Sequence, residues 1–456
     1  MDPLTTTTDL IGSGGRSIEA AVDHTVSSFQ LFAGLLTLSA VFSYINYRFL
    51  RLPGSIGVML QALVFVTILL VASLFEPNLR PAAQHLLSRI DFDATLLHGM
   101  LGLLLFAGAI HVDLGELRRH GLLVIALSTI GVVVSTAIIG LVAWKLLPWF
   151  GFNLTLPECL VFGALISPTD PIAVLAIMRS VGVPKDLRIP ITGESLFNDG
   201  VGVVVFLALL AYVSPGHGGV QANASGVAML FLTEAVGGAI FGLAIGYLTY
   251  HLLASVDDYQ VEIILSLALA VGGYSLAEAI HVSAPIAIVV AGLLIGNHGR
   301  SFAMSKLTCE RLDEFWELMD EILNSLLFVL IGLEALVLVP RVGFTPAAFA
   351  MVPLALLARA CSVGLPLLLV RPLTRRIPHG FALLTWGGLR GGISVALALS
   401  LHDTLARSHA EAADAILVFT YVVVLASIIG QGLTIKPLLK WILVKPPTPP
   451  VGTKID

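Results

Sequence analysis

Charge is scarce in this sequence. Asp, Glu, Lys and Arg make up only 12% of its 456 residues, about half the share usual in a soluble domain. Cysteine is scarcer still: Cys159, Cys309 and Cys361 are far apart and sit in or beside apolar segments. That spacing excludes a disulfide framework or a thiolate metal site and leaves them as small core residues. No stripe of basic residues with interleaved aromatics is present, which excludes a nucleic-acid surface. No nucleotide-binding or other soluble regulatory module stands out. The polar N-terminal stretch carries Asp2, Asp9, Glu19 and Asp23 with only Arg16 basic, the wrong charge for the start of a cleaved signal peptide.

What is present is apolar. Hydrophobic residues form 57% of the chain and the mean hydropathy is +0.94. Blocks of about 20 apolar residues recur along nearly the whole length, as membrane spans require. The pattern predicts an all-α polytopic membrane protein with about 13 spans near 29–49, 55–75, 94–112, 121–147, 158–180, 189–213, 226–253, 260–279, 284–297, 321–339, 346–370, 381–402 and 412–440. Residues 298–320, with Arg300, Lys306, Glu310, Arg311, Asp313 and Glu314, read as an amphipathic segment lying at the membrane interface. A polar segment, 1–28, and a short Pro/Lys tail, 441–456, flank the membrane part.

Basic residues set the expected orientation. Seventeen, from Arg48 and Arg51 through Arg188 to Lys454, fall on one side, and six (Arg16, Arg80, Arg89, Lys145, Arg341, Arg407) on the other. The first side is read as cytoplasmic, with the N-terminus outside and the C-terminus inside. Thirteen spans divide as six, one and six: a first repeat at 29–213, a linker helix at 226–253 and a second repeat at 260–440. Spans one and eight then run in opposite directions, so the repeats are inverted, as in many secondary transporters. The fifth span of each half carries a mid-span interruption: Ser167-Pro168-Thr169-Asp170-Pro171 in one, Gly387-Gly388-Leu389-Arg390-Gly391-Gly392 in the other.

The first interruption carries chemistry. Pro168 and Pro171 have no N–H, so the carbonyls of Ala164 and Ser167 lose their helical partners, and Asp170, before a proline, is pushed out of the helical region. An unwound segment offering carbonyl oxygens beside a carboxylate suits a dehydrated small cation. A lone carboxylate at mid-span costs about 2.5–3.5 kcal/mol even on the lenient insertion scale, which weighs against a merely kinked helix with a snorkelling Asp. In span six, at about 100° per residue, Ser195 and Asp199 stack on one strip, with Glu194 and Asn198 on the next. For Asn198 an inert polar helix interface and a functional role read equally well, whereas Asp199 points to function.

Arg390 cannot discharge itself by losing a proton, so within the membrane it needs a carboxylate or freed carbonyls. Asp170, Glu194, Asp199 and Glu334 compete for it; pairing with Glu194 would tie span six to the broken span twelve and leave Asp170 and Asp199 titratable. Glu278, Glu334 and Glu234 read as near-end groups that reach water, Arg359 as a snorkelling or headgroup-binding side chain, and His111 and Asp113 as solvated at the end of span three.

At these residues the chain resembles the monovalent cation:proton antiporters of the NhaP/NHE type. The matching stretches are Ala164–Val174 (ALISPTDPIAV), Gly193–Gly200 (GESLFNDG) and Thr385–Val395 (TWGGLRGGISV), supported by Ser283–Asn297 (SAPIAIVVAGLLIGN). The resemblance implies an NhaA/NhaP-like antiporter fold, broken fifth and twelfth helices, a homodimer in a bacterial inner membrane, and no cofactor, sodium or lithium and protons being the cargo. It implicates Asp170, Ser195, Asp199 and the main-chain carbonyl of Thr169 as cation and proton ligands. It makes Glu194–Arg390 the structural ion pair, with Asn198 in support and as a mark of the electroneutral branch. Some archaeal relatives carry an acidic ligand in span three where this chain has Ala107. Sodium (or lithium)/proton exchange is thus the expected activity, with potassium/proton exchange or an ion channel as alternatives. An intramembrane aspartyl protease is disfavoured because no Gly-x-Gly-Asp surrounds either aspartate, and Leu196 after Ser195 breaks the rhomboid pattern.

Overall fold

A computed structural model of the chain describes residues 28–75, 99–183, 185–213, 229, 232–338, 346–370, 379–405 and 409–444. The polar N-terminal segment, the tail beyond residue 444, and Arg80, Arg89, Arg341, Arg371 and Arg407 of the charge-based orientation lie outside them. The described residues are helical, the sole β-type pairing among them being one isolated bridge.

In chain order the helices are α1 (Ser28–Ile45), α2 (Gly54–Ala72), α3 (Leu101–Ile110), α4 (Leu114–Phe150), α5 (Leu156–Ile166), α6 (Ile172–Val181), α7 (Lys185–Val213) and α8 (Leu232–Ala254). They continue with α9 (Tyr259–Ala279), α10 (Ala284–Leu294), α11 (Lys306–Leu338), α12 (Pro346–Val370), α13 (Gly380–Trp386), α14 (Gly392–Leu405) and α15 (Ala410–Ile442). Eight helical stretches among the described residues are long and apolar enough to cross a membrane, and the shorter apolar helices include α3, α5 and most of α14.

Local sequence explains the helix starts. Asp113 caps α4, its carboxylate accepting from the N–H groups of Gly115 (2.8 Å) and Glu116 (3.1 Å), and Asp258 caps α9 the same way. Each satisfies donors that a helix N-terminus otherwise leaves open. Asp113 thus has a defined structural duty besides solvation. At α5, Thr155 and Glu158 form a reciprocal capping box ahead of Pro157.

The charged stretch 298–320 departs from expectation. It does not lie apart at the interface: from Lys306 it runs unbroken into the expected tenth span as the single helix α11. The reason is its apolar stripe. Leu312 and Trp316 are fully buried, Trp316 stacks on Phe106 of α3 at 4.7 Å between ring centroids, and its indole N–H donates to Ser266 Oγ at 3.0 Å. The adjoining strip carries Asp313, Glu317, Asp320 and Glu321, at three- and four-residue spacing.

Buried side chains gather into two apolar cores. One holds Met59, Phe162, Phe328 and Phe419; the other holds Phe106, Tyr274, Ile288 and Trp316. Helix α7 belongs to both, giving Ile191, Phe206 and Leu210 to the first and Leu196 to the second. Helix α11 is likewise shared, and Tyr421 of α15 donates to the carbonyl of Ile331 at 2.7 Å to fix its far end.

Candidate functional site: crossed helix breaks beside two carboxylates

Both interruptions read from sequence are real breaks. Helix α5 stops at Ile166 and α6 begins at Ile172; α13 stops at Trp386 and α14 begins at Gly392. The two unwound segments face each other, joined by the antiparallel bridge between Asp170 and Leu389, in which the Asp170 N–H donates to the Leu389 carbonyl at 2.7 Å. Each break leaves a carbonyl-rich helix end and an N–H-rich helix start, which carry opposite partial charges.

Two charged side chains meet those ends. Arg390 Nη1 donates to the carbonyls of Ser167 (2.8 Å) and Pro168 (3.2 Å), the end of α5. Ser167 O is the very acceptor that Pro171 orphans. The Asp170 carboxylate lies against the backbone at Gly391, next to the start of α14: a Cβ built at Gly391 would overlap the Asp170 side chain. Glycine is required there for that close approach. Cationic guanidinium at the negative helix end and carboxylate at the positive one is the arrangement that lets unwound backbone persist inside a membrane protein.

The ion pair is not the one expected. Glu194 pairs with Arg359 of α12, not with Arg390: Arg359 Nη2 donates to Glu194 Oε2 at 2.9 Å, and Nη1 donates to Oε1 alongside it. Arg359 also donates to the Leu384 carbonyl from Nη2 at 2.8 Å and from Nε at 3.2 Å. Glu194 is 1% and Arg359 5% exposed, so Arg359 neither snorkels nor meets a headgroup. The physical reason is division of labour: the freed carbonyls of α5 occupy Arg390, while the fork of Arg359 matches a carboxylate. Its position in the middle of α12 was the available signal, because a side chain that deep cannot reach the interface. Glu334, expected to reach water, is also buried.

Helix α7 supplies the other polar groups. Asn198 clasps Thr169, donating from Nδ2 to its Oγ1 at 2.8 Å and accepting from its N–H at 3.4 Å. The hydroxyls of Thr169 and Ser195 lie 3.1 Å apart. Asn198 and Ser195 thus hold the break from the α7 side. Asp199, 7% exposed, stands close enough to Asp170 for each carboxylate to feel the other's charge.

A cavity of about 1280 Å³ opens onto this point and is lined by Thr169, Asp170 and Asp199. Ser195, Asn198, Glu194 and Arg390 stand behind its wall. The cavity lies where the two apolar cores meet, bounded by Val58 and Leu327 of the first and Leu101 and Leu105 of the second. Ala107 also lines it, and the acidic strip of α11 (Asp313, Glu317, Asp320, Glu321) runs along its wall. Partway along, His111 donates from Nδ1 to the Ala107 carbonyl at 2.7 Å, while its Nε2 lies 3.5 Å from Asp313, which Arg300 also grips. Sequence reading did not single out this strip as a cavity wall; its four-residue periodicity carried the signal.

Two broken helices bridged at their breaks, with two carboxylates lining one cavity, define a polytopic membrane transporter of the discontinuous-helix class. The sodium proton antiporter MjNhaP1 from Methanocaldococcus jannaschii has the same fold, with a TM-score of 0.70 and 20% identity over 91% of this chain and 99% of that one. The chain belongs to the transmembrane sodium/hydrogen exchanger family, which it matches over residues 21–441, and within it to the NhaP type. The Na(+)/H(+) antiporter NhaP of Pseudomonas aeruginosa is 49% identical over 92% of this chain and 98% of its own length. The Na(+)/H(+) antiporter NhaH of Halobacillus dabanensis is 37% identical over 86% and 93%.

Proposed function

We propose that the protein exchanges sodium or lithium for protons across the membrane, with both species competing for Asp170 and Asp199. The observation that carries this reading is that two carboxylates from different helices line one cavity beside an unwound backbone. Negative charge in such a place is tolerated only when matched. A proton matches it by forming the neutral acid; a small cation matches it by binding oxygen ligands. If the site reorients readily only when neutralised, by either species, exchange follows without a separate gate. The names of the relatives, all sodium/proton antiporters, support the choice of cargo.

In this scheme Asp170 and Asp199 bind the cation or the proton, with Thr169 and Ser195 as neutral oxygen ligands. Asn198 positions Thr169, and Arg390 stabilises the broken helix. The amide at Asn198, where the electrogenic branch carries a second aspartate, supports electroneutral exchange: one charge crosses in each direction. The protein acts as a homodimer in a bacterial inner membrane, its C-terminus and the mouth of the cavity facing the cytoplasm.

Everted membrane vesicles test the scheme. Adding sodium or lithium to vesicles holding an acid interior should collapse the pH gradient, and potassium should do so far less. Asp170→Asn and Asp199→Asn should each abolish the response while the protein remains folded in the membrane. Substantial exchange by either variant removes that residue from the mechanism.

A further inference from the structure

Ser394 is a hydroxyl for which the described residues provide no partner. It is 1% exposed, and its Oγ makes no hydrogen bond. Buried hydroxyls in helices ordinarily escape this by donating to the carbonyl one turn earlier. Thr404 in the same helix does so, to Ser400 at 2.9 Å, as do the buried Ser167, to Gly163, and Thr249, to Ile245. Ser394 lies in the first turn of α14, which begins at Gly392. The residue four positions earlier is Arg390, in the unwound segment, so the helix break itself removes the usual acceptor.

Ser394 lines the same cavity as Asp170 and Asp199. It stands three residues beyond Gly391, whose backbone abuts the Asp170 side chain just before α14 begins. Ser135 and Thr420 are also buried without a partner, but neither lines the cavity. A neutral hydroxyl oxygen with free lone pairs, in the wall of the cavity that Asp170 and Asp199 also line, suits a hard monovalent cation that has shed part of its hydration shell.

We propose that Ser394 is a specificity-determining ligand of the transported cation, completing from α14 the oxygen set that Asp170 and Asp199 begin. The inference rests on the exchange reading above. Because the smaller of two hard cations gives up its water more reluctantly, losing one oxygen ligand weakens lithium binding more than sodium binding.

The test uses the full-length protein in everted vesicles and, purified, in detergent. Ser394→Ala should raise the apparent KM for lithium roughly tenfold and that for sodium less, with the maximal rate within about twofold of the parent. Ser394→Thr, which keeps the oxygen, should restore both KM values. In detergent, Ser394→Ala should melt no lower than the parent without cation, yet gain less from added lithium chloride. Unchanged KM values for both cations, or a loss of maximal rate alone, would overturn the assignment. A stability loss that Ser394→Thr does not repair would likewise show a packing role. Parent protein that exchanges normally, with Asp170→Asn and Asp199→Asn inactive, confines such a failure to Ser394; absence of exchange by the parent itself refutes the exchange reading and this inference together.

Discussion

At the scale of single residues, the buried pair Glu194–Arg359 and the close approach of Gly391 to Asp170 make opposite kinds of prediction. Removing one member of a buried ion pair strands the other charge, at about 3–5 kcal/mol. Arg359→Ala should therefore lower the melting temperature in detergent sharply. Glu194→Leu combined with Arg359→Met should recover much of it, although the Leu384 carbonyl then loses two donors. Equal melting of Arg359→Ala and the parent would mean that the pair holds nothing together. Gly391→Ala acts instead on function: its methyl displaces the Asp170 carboxylate, so vesicle exchange should fall at least about tenfold while melting changes little. Sequence alone named Asp170 and Asp199, and an Arg390 that needs either a carboxylate or freed carbonyls. It assigned Glu194 to the wrong arginine, because the choice depends on which helices pack side by side. Arg390 lies in one break and reaches the carbonyls freed by the other, Arg359 lies in an unbroken helix, and only packing brings Arg359 to Glu194 and to the Leu384 carbonyl.

At the scale of elements, the two breaks are the features that local sequence determines most fully. Pro168 and Pro171 remove N–H groups, and the glycines at 387–388 and 391–392 remove side chains, so both interruptions were visible before any packing was known. Their crossing through Asp170 and Leu389 was not, since a bridge between residues more than 200 positions apart has no local trace. Replacing Pro168 and Pro171 together with alanine should let α5 continue into α6 and withdraw the Ser167 carbonyl from Arg390. Exchange should be lost although the helix itself is better formed; retained exchange would mean that the unwound backbone is dispensable. Helix α11 shows the converse limit. Its charges suggested a segment resting on the membrane surface, yet burial of Leu312 and Trp316 turns the same amphipathicity inward and aims the acidic strip along the cavity. Trp316→Ala should destabilise the protein by about 3–5 kcal/mol, read as earlier melting, because Trp316 closes the second core.

At the scale of the whole molecule, the two apolar cores meet at the cavity, and α7 and α11 pass through both. The carboxylates therefore sit in a cavity whose lining is drawn from both cores. The proposed exchange of one charge for one charge would make the cycle indifferent to membrane voltage, so an imposed potential alone should drive no steady sodium accumulation in proteoliposomes. The account depends on a single competition, and purified protein in detergent reports it directly. Sodium or lithium added at constant pH should release about one proton per cation bound. Its apparent affinity should weaken as the medium is acidified, and both effects should vanish in Asp199→Asn. Cation binding that releases no proton and is indifferent to pH would contradict it.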